Sequence, residues 1–366
     1  MKKFVFIALF LGISLSGFSQ SDTVWYKVYT GKFGNSDATL HLCRHSNSYS
    51  GYIYIWFTQQ QWPMPVYGSP SPEYPDSIQL SAGNSPLFLN LTGLFKINNF
   101  IFDGHGHLQK DNVTSKEVHF SLQENKSGNY TAFQYFYTGG TASLPPKLKN
   151  ESTCDFSSAA VWPVTNTAFT TSLKKQIGIA LNSKVPVNNP LEIMKIEKNK
   201  FMTGWQKDNS KLTAKDAADM GLSLSASQDQ NIMVMYEDEK TLTLANYIST
   251  YSGGAHNNYY TSLITISKNT GKKLQLKDVL SAEGLKLLPS LLDKVARQQF
   301  SINNKKPLDE NGFFVNQIKA TENFYVTSTG IGFLYPTYEL KSFAEGEINL
   351  LVPKVALAKY LTPEYR

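Results

Sequence analysis

The chain has 366 residues, 41% of them hydrophobic, enough to bury one large core or two ordinary ones. Aromatic residues reach 13% while charged residues stop at 17%, which with abundant Gly, Asn and Ser predicts a β-rich α+β protein. Residues 21–167 hold nine Lys/Arg against ten Asp/Glu and residues 168–366 hold 24 against 19, with no compact basic cluster among aromatics, so a nucleic-acid partner is not expected.

In chain order, Lys2 and Lys3 precede an apolar run, Phe4 to Leu15, and small residues follow at Ser16, Gly17 and Ser19. This is the pattern of a bacterial signal peptide over residues 1–19, cleaved to leave Gln20 first. The run is shorter than the roughly 20 residues a membrane span needs. The first cysteine is Cys43, so no lipid-anchored N-terminus is expected. These features predict a mature protein, periplasmic or secreted, without a transmembrane segment.

Residues 22–140 read as an antiparallel β-sandwich or partial barrel: short apolar runs alternate with Gly, Asn, Asp, Pro and Ser turns. In 49–57, Tyr52, Tyr54 and Trp56 share one face and Ile53, Ile55 and Phe57 the other, predicting a central strand covered on both sides. Residues 141–167 are turn-rich and read as a linker between two domains. Helical spacing follows at 172–181, 191–200 and 213–220, the last opening on Thr213 with Asp216 three residues on. Strands are expected at 222–226, 231–236, 241–250 and 259–267, then a long helix at 276–300 that Pro289 could split. Strands at 323–327, 332–335 and 347–352 and a short helix at 354–360 complete an antiparallel sheet packed on that helix.

Several segments carry a resemblance. YSGGAH (251–256) lies between two strands, KNTGKKLQLKDVL (268–280) follows, and FYVTSTGIGFLYPTYEL (324–340) precedes FAEGEINLLVP (343–353). Together they resemble the extracytoplasmic domain of the RsiV-like family, over roughly residues 168–366. That domain, of unknown general function, occurs in an anti-sigma factor that senses lysozyme, beside peptidoglycan deacetylase domains and in many secreted bacterial proteins. YTGKFG (29–34) and GYIYIW (51–56) are similar to a β-rich extension that precedes it in secreted relatives. The resemblance implies an α+β domain with the GGAH turn between adjacent strands, and a binding role rather than catalysis. The sensor's transmembrane helix and sigma-binding segment have no counterpart in this sequence.

Four sets of residues could carry chemistry. Gly253, Gly254 and His256, with Tyr251, form either a binding loop whose imidazole titrates near neutrality or a tight hairpin with local hydrogen bonds. Tyr335 and Tyr338 are further candidates, as exposed rings that could anchor a partner. His41, Cys43 and His45, and Asp103, His105 and His107, each stand at i, i+2, i+4. On strands that spacing points three ligand-type side chains to one face, so His41, His45, His105 and His107 could hold zinc or copper if the segments paired. Solvated polar faces explain the same pattern. Cys43 and Cys154 could instead form a disulfide or remain buried thiols. S-G-x-x-Y at 50–54 resembles a short motif of periplasmic lysozyme inhibitors, and Glu237, Asp238 and Glu239 read as a solvated hairpin tip. No P-loop, nucleophile-elbow, zincin or dinucleotide fingerprint is present. The function expected is binding of an envelope-associated glycan or protein, peptidoglycan-related or lysozyme-like, without a cofactor. A metal-assisted hydrolase using the N-terminal histidines is the alternative.

Overall fold

A computed structural model describes residues 24–56, 62–71, 77–84, 87–96, 101–110, 113–114, 117–186 and 188–366. The expected signal peptide, residues 1–19, lies outside them. The described strands and helices form a β-barrel, a central sheet with helices, and a C-terminal α+β unit.

The barrel is a meander of β1 (Val24–Phe33), β2 (Ser36–His45), β3 (Ser48–Ile55), β4 (Met64–Pro70), β5 (Ser77–Asn84), β6 (Leu87–Lys96), β7 (Ile101–Lys110), the two-residue β8 (Val113–Thr114) and β9 (Val118–Glu124). Successive strands from β1 to β7 pair antiparallel, β7 pairs β9, and β9 pairs β1, which closes eight strands. The partial barrel expected from sequence is therefore a complete one. Alternation along each strand puts Leu40, Ile53, Val66, Leu80, Phe102 and Phe120 inside, all buried. The Phe120 ring centroid lies 4.7 Å from Phe102 and 6.4 Å from Phe33. A Cβ on Gly93 would come within 2.9 Å of both Phe102 and Phe120, so a residue without a side chain is what leaves room for these rings. An eight-stranded barrel is just wide enough for side chains to fill, and these rings occupy the axis.

The stretch expected as a linker is core structure. β10 (Phe133–Ser143) and β11 (Thr153–Pro163) pair with each other, and β11 pairs parallel with β12 (Ala226–Glu237). With β13 (Thr241–Tyr251) and β14 (Asn258–Ser267) they form a five-stranded sheet in the order β10-β11-β12-β13-β14. The turn-rich 144–152 segment misled because it separates two strands, not two domains. A parallel pair needs a long crossover, and here it carries α1 (Ala168–Ala180), α2 (Pro190–Asp208) and α3 (Ala214–Met220). Thr213 caps α3 with Asp216 in a reciprocal box, as its sequence spacing predicts. Adjacent residues of β12 show how the layers stack: Gln230 Nε2 donates to the Ala180 carbonyl of α1, while Asn231 Nδ2 donates to Ser50 Oγ on the barrel. Helices cover one face of the sheet and the barrel covers the other. Ile53 and Ile55 point into the barrel and Tyr52 and Tyr54 are buried outside it, so β3 is the doubly covered strand its pattern predicts.

The C-terminal unit packs α5 (Ala282–Gln299) on β15 (Phe324–Thr327), β16 (Gly330–Tyr335) and β17 (Ile348–Pro353), an antiparallel sheet. Leu288, Leu292 and Ala296, one helical face, are buried with Phe324, Phe333 and Leu350. The break in the long helix falls not at Pro289 but at Leu280, between α4 (Leu276–Val279) and α5. There Leu280 bridges to Leu361, and Ser281 Oγ accepts from the Gly284 amide. α6 (Lys354–Leu357) follows β17. The unit is bound to the barrel side of the central sheet: Thr265 Oγ1 donates to the Phe324 carbonyl at 2.7 Å and the Leu263 amide donates to Asn323 Oδ1 at 2.7 Å. Glu237, expected at a solvated tip, is buried, accepting from the Thr131 amide and hydroxyl and from Lys268 Nζ at 2.7 Å. No helix among the described residues is long and apolar enough to cross a membrane.

The barrel core makes one quantitative demand. Replacing Phe120 by Ala should lower the unfolding free energy by about 3–5 kcal/mol in denaturant titration, the usual cost of emptying a buried phenylalanine site. A loss well below this would mean that the axial rings are not close-packed.

Candidate functional site

The β13–β14 hairpin is paired as far as Thr250 and Asn258, and residues 251–257 project beyond it. Gly253 and Gly254 have φ of +84° and +116°, a region L residues rarely occupy. A Cβ on Gly253 would also come within 2.6 Å of the Ser223 carbonyl oxygen. Tyr251 Oη donates to the Gly254 carbonyl at 3.1 Å. His256 Nδ1 lies 2.8 Å from the Asn257 carbonyl, which can only accept, so Nδ1 donates to it. Tyr338 Oη is hydrogen-bonded to His256 Nε2 at 3.2 Å. The hairpin thus satisfies the local structural reading and also presents an imidazole to a second element.

Tyr251, Gly253, Gly254, His256 and Tyr338 are therefore brought together. Tyr335 is not: it is buried in β16, with its hydroxyl donating to the Lys319 carbonyl at 2.8 Å. The residue missed is Phe343, stacked on His256 at 4.0 Å between centroids. A lone aromatic in the polar run KSFAEG (341–346) offers no periodic signal.

From Phe343 the aromatic contacts continue. Tyr259 lies 5.5 Å away, Tyr247 a further 6.1 Å, and Tyr67 of the barrel 6.4 Å beyond that. Tyr67, His256 and Tyr338 are exposed and Tyr247, Tyr259 and Phe343 half-buried, so each ring of the row reaches solvent. It joins all three units: β4, the β13–β14 pair, and the loop between β16 and β17. At its barrel end is a pocket of about 220 Å³, walled by His45, Tyr49, Tyr67, Ser157, Asp229 and Tyr247 above the Asn231–Ser50 hydrogen bond. Burial raises the Asp229 carboxyl, against the Ser157 hydrogen bond and the His45 ring. Burial lowers His45, which stacks on Tyr137 at 4.1 Å. Near Tyr247 and Tyr259, burial likewise raises Glu347, whose carboxylate accepts from Thr261 Oγ1 at 2.8 Å and from the Thr261 amide.

The metal grouping expected from spacing does not assemble. His41 and His45 stand on β2, which pairs β1 and β3, whereas His105 and His107 stand on β7, which pairs β6, β8 and β9. His41 is buried, with Nδ1 2.7 Å from Tyr26 Oη, and burial lowers it to about 3. His105 contacts Glu117 at 2.9 Å and faces His119 across the ladder. Among the described residues no three His, Cys, Asp or Glu side chains are grouped to hold a metal ion. Cys43 and Cys154 are both free and buried. Cys43 packs in the layer between barrel and sheet, while Cys154 belongs to a separate cluster with Trp205 and Leu144. Ser157 and Ala159 of β11 face the pocket, so Cys154, of opposite parity, points away from the barrel. The S-G-x-x-Y segment is likewise structural: Ser50 accepts from Asn231, and a Cβ on Gly51 would collide with the His41 carbonyl.

Comparison with known proteins locates part of this architecture. Residues 277–354 match the model of a family described as "Protein of unknown function (DUF3298)". The C-terminal region thus carries a DUF3298 domain. The matched residues include Tyr338 and Phe343 of the row but neither the hairpin nor the pocket. No curated protein matches the chain. Among solved structures, a member of the DUF3298 family from Bacteroides fragilis NCTC 9343 is similar with a TM-score of 0.58 and 21% identity, covering 64% of this chain and 96% of that one. A DUF3298 family protein from Pseudomonas aeruginosa PAO1 matches at a TM-score of 0.43 and 12% identity, over 65% and 98% of the two chains. The first establishes a shared fold.

The burial of His41 gives a pH signature. Folded, it stays neutral down to about 3, whereas unfolded it takes a proton near the ordinary 6.5, so unfolding binds one extra proton across that window. Stability should fall as pH drops below 6.5, by about 1.4 kcal/mol per unit from this group. His41→Gln keeps an acceptor for Tyr26 and cannot titrate, so its denaturation midpoint should fall less steeply between neutral and mildly acidic pH. Identical slopes for the two proteins would contradict this assignment.

Proposed function

We propose that this protein is a non-catalytic, extracytoplasmic binding protein for an envelope glycan of the peptidoglycan kind. The observation that carries the proposal is the open row Tyr67–Tyr247–Tyr259–Phe343–His256–Tyr338. An aromatic face bears negative charge density, which attracts the slightly positive axial C–H bonds of a pyranose ring. Tyr67, Tyr247 and Tyr259, 6.1–6.4 Å apart and tilted to one another, would offer such faces to a linear chain of sugars, with Phe343 and His256 stacked on each other beyond them. Ser48, Ser157, Asp229 and Asn231 in the pocket supply the hydroxyl partners that fix orientation at one end.

Two further features support this reading. The signal-like residues 1–19 would place the chain where such glycans are found. The resemblance to an RsiV-like extracytoplasmic domain points to recognition rather than chemistry. The hydrolase alternative loses its carrier, because its histidines stand on strands that do not pair.

The test is sedimentation of the purified chain with insoluble peptidoglycan. The native protein should be retained. The Tyr247→Ala/Tyr259→Ala double variant should bind about five- to 150-fold more weakly, as expected for two stacking contacts of roughly 0.5–1.5 kcal/mol each. Undiminished binding of a folded double variant would remove the row from the site. Retention on immobilised lysozyme but not on peptidoglycan would replace the glycan with a protein partner.

A further inference from the structure

Asp229 is the carboxylate that lines the pocket, and the fold sets no cation against it. Its carboxylate lies in the wall of the pocket, half-buried, and no Lys or Arg among the described residues forms an ion pair with it. The groups that influence it are the Ser157 hydroxyl and the His45 ring, and burial holds that ring toward its neutral form. The nearby cation, Arg44, is engaged elsewhere: its guanidinium lies 5.3 Å from the Tyr49 ring centre and its Nε donates to the Ser46 carbonyl. The remaining walls are hydroxyls, one amide and the rings of Tyr67 and Tyr247, all of which are neutral. A carboxylate taken partly out of water without a counter-charge is costly, and the cost is relieved when a cation arrives. Aromatic faces beside it favour the same kind of ligand.

We propose that this pocket receives a primary ammonium group, carried by an amino sugar whose nitrogen is free rather than acylated. The inference rests on the glycan reading above and sharpens it to one charge state of the sugar. An ammonium seated between Asp229 and the Tyr67 and Tyr247 rings would donate to the carboxylate and to Ser157 or Ser50, with the rest of the sugar extending along the row toward Tyr259. The pocket is smaller than ordinary ligand sites of roughly 300–1,000 Å³, which suits one substituted ring edge rather than a length of chain.

Glucosamine oligomers and N-acetylglucosamine oligomers of equal length separate the possibilities when titrated calorimetrically into the full chain. The native protein should bind the free-amine oligomer at least about tenfold more tightly, the scale of one desolvated cation–π and carboxylate contact. That preference should shrink at high salt and vanish in Asp229→Asn, which keeps the size and hydrogen bonding of the side chain and whose fold is verified by its melting transition. Equal affinity for both oligomers, or a preference that survives in Asp229→Asn, would overturn the ammonium assignment while leaving the glycan reading intact. Failure of the native protein to bind either oligomer or peptidoglycan would overturn both.

Discussion

The structure depends on the packing of the barrel's outer face against one face of the five-stranded sheet. A barrel strand normally turns one row of side chains inward and the other to water. On β1 to β3 the outer row instead carries Tyr26, His41, Cys43, Tyr52 and Tyr54, which are buried or half-buried. The sheet meets them through residues of one parity on β12, with Asn231 bonded to Ser50 and receiving the Tyr135 hydroxyl. An amide satisfied from both sides in a dry layer fixes relative position more sharply than apolar contact does, since displacement would leave a buried polar group unpaired. The pocket and the start of the aromatic row are the rim of this contact, where the two surfaces diverge.

That arrangement explains why the recognition surface lies outside the barrel. Eight-stranded barrels are wide enough to hold a small ligand when their inward residues are small or sparse. Here Phe33, Phe102 and Phe120 fill the axis, and glycines at 93 and 104 are spent on making room for these rings rather than for a guest. The barrel serves as a rigid wall, contributing His45, Tyr49 and Tyr67 to a site completed by the other units.

Much of this was legible in the sequence where physics acts locally. Alternation in 49–57 identified a strand covered on both faces, and the Thr213–Asp216 spacing identified a helix start, because both depend on neighbours in the chain. The double glycine of 253–254 marks the β13–β14 connection for the same reason, although residues 251–257 form a projecting loop rather than a tight turn. Failures came where long-range pairing decides. β11 reads as linker because its first half, TCDFSS, is small and polar and follows a turn-rich stretch, yet it is paired between β10 and β12. The histidine spacings were real single-face patterns, but which strands adjoin is a property of barrel order, and β2 and β7 do not. Tyr335 and Tyr338 look alike in sequence; a strand buried on both faces takes in one, and a turn exposes the other. Asp229 and Phe343 stood out by no spacing, since their importance arises from what three separate units place around them.

Two of the costs in the fold lie at the two ends of the row. Five non-glycine residues among those described have positive φ, and Tyr338 is the bulky aromatic among them, at +67°. Such a conformation costs on the order of 1–3 kcal/mol and persists where surrounding structure holds it. What it achieves is a ring held against His256 and Phe343. Asp229, at the opposite end of the row, is desolvated without a counter-charge, whereas Glu237, the buried acid that joins β12 to β14, has Lys268 beside it. Glu347, buried beside the row, is met by the Thr261 amide and hydroxyl rather than by a cation, so what sets Asp229 apart is that its carboxylate lines a pocket. Strained tyrosine and uncompensated carboxylate are connected by the aromatic row, and departures from local consistency concentrated in this way are what a binding surface imposes on an otherwise self-consistent fold.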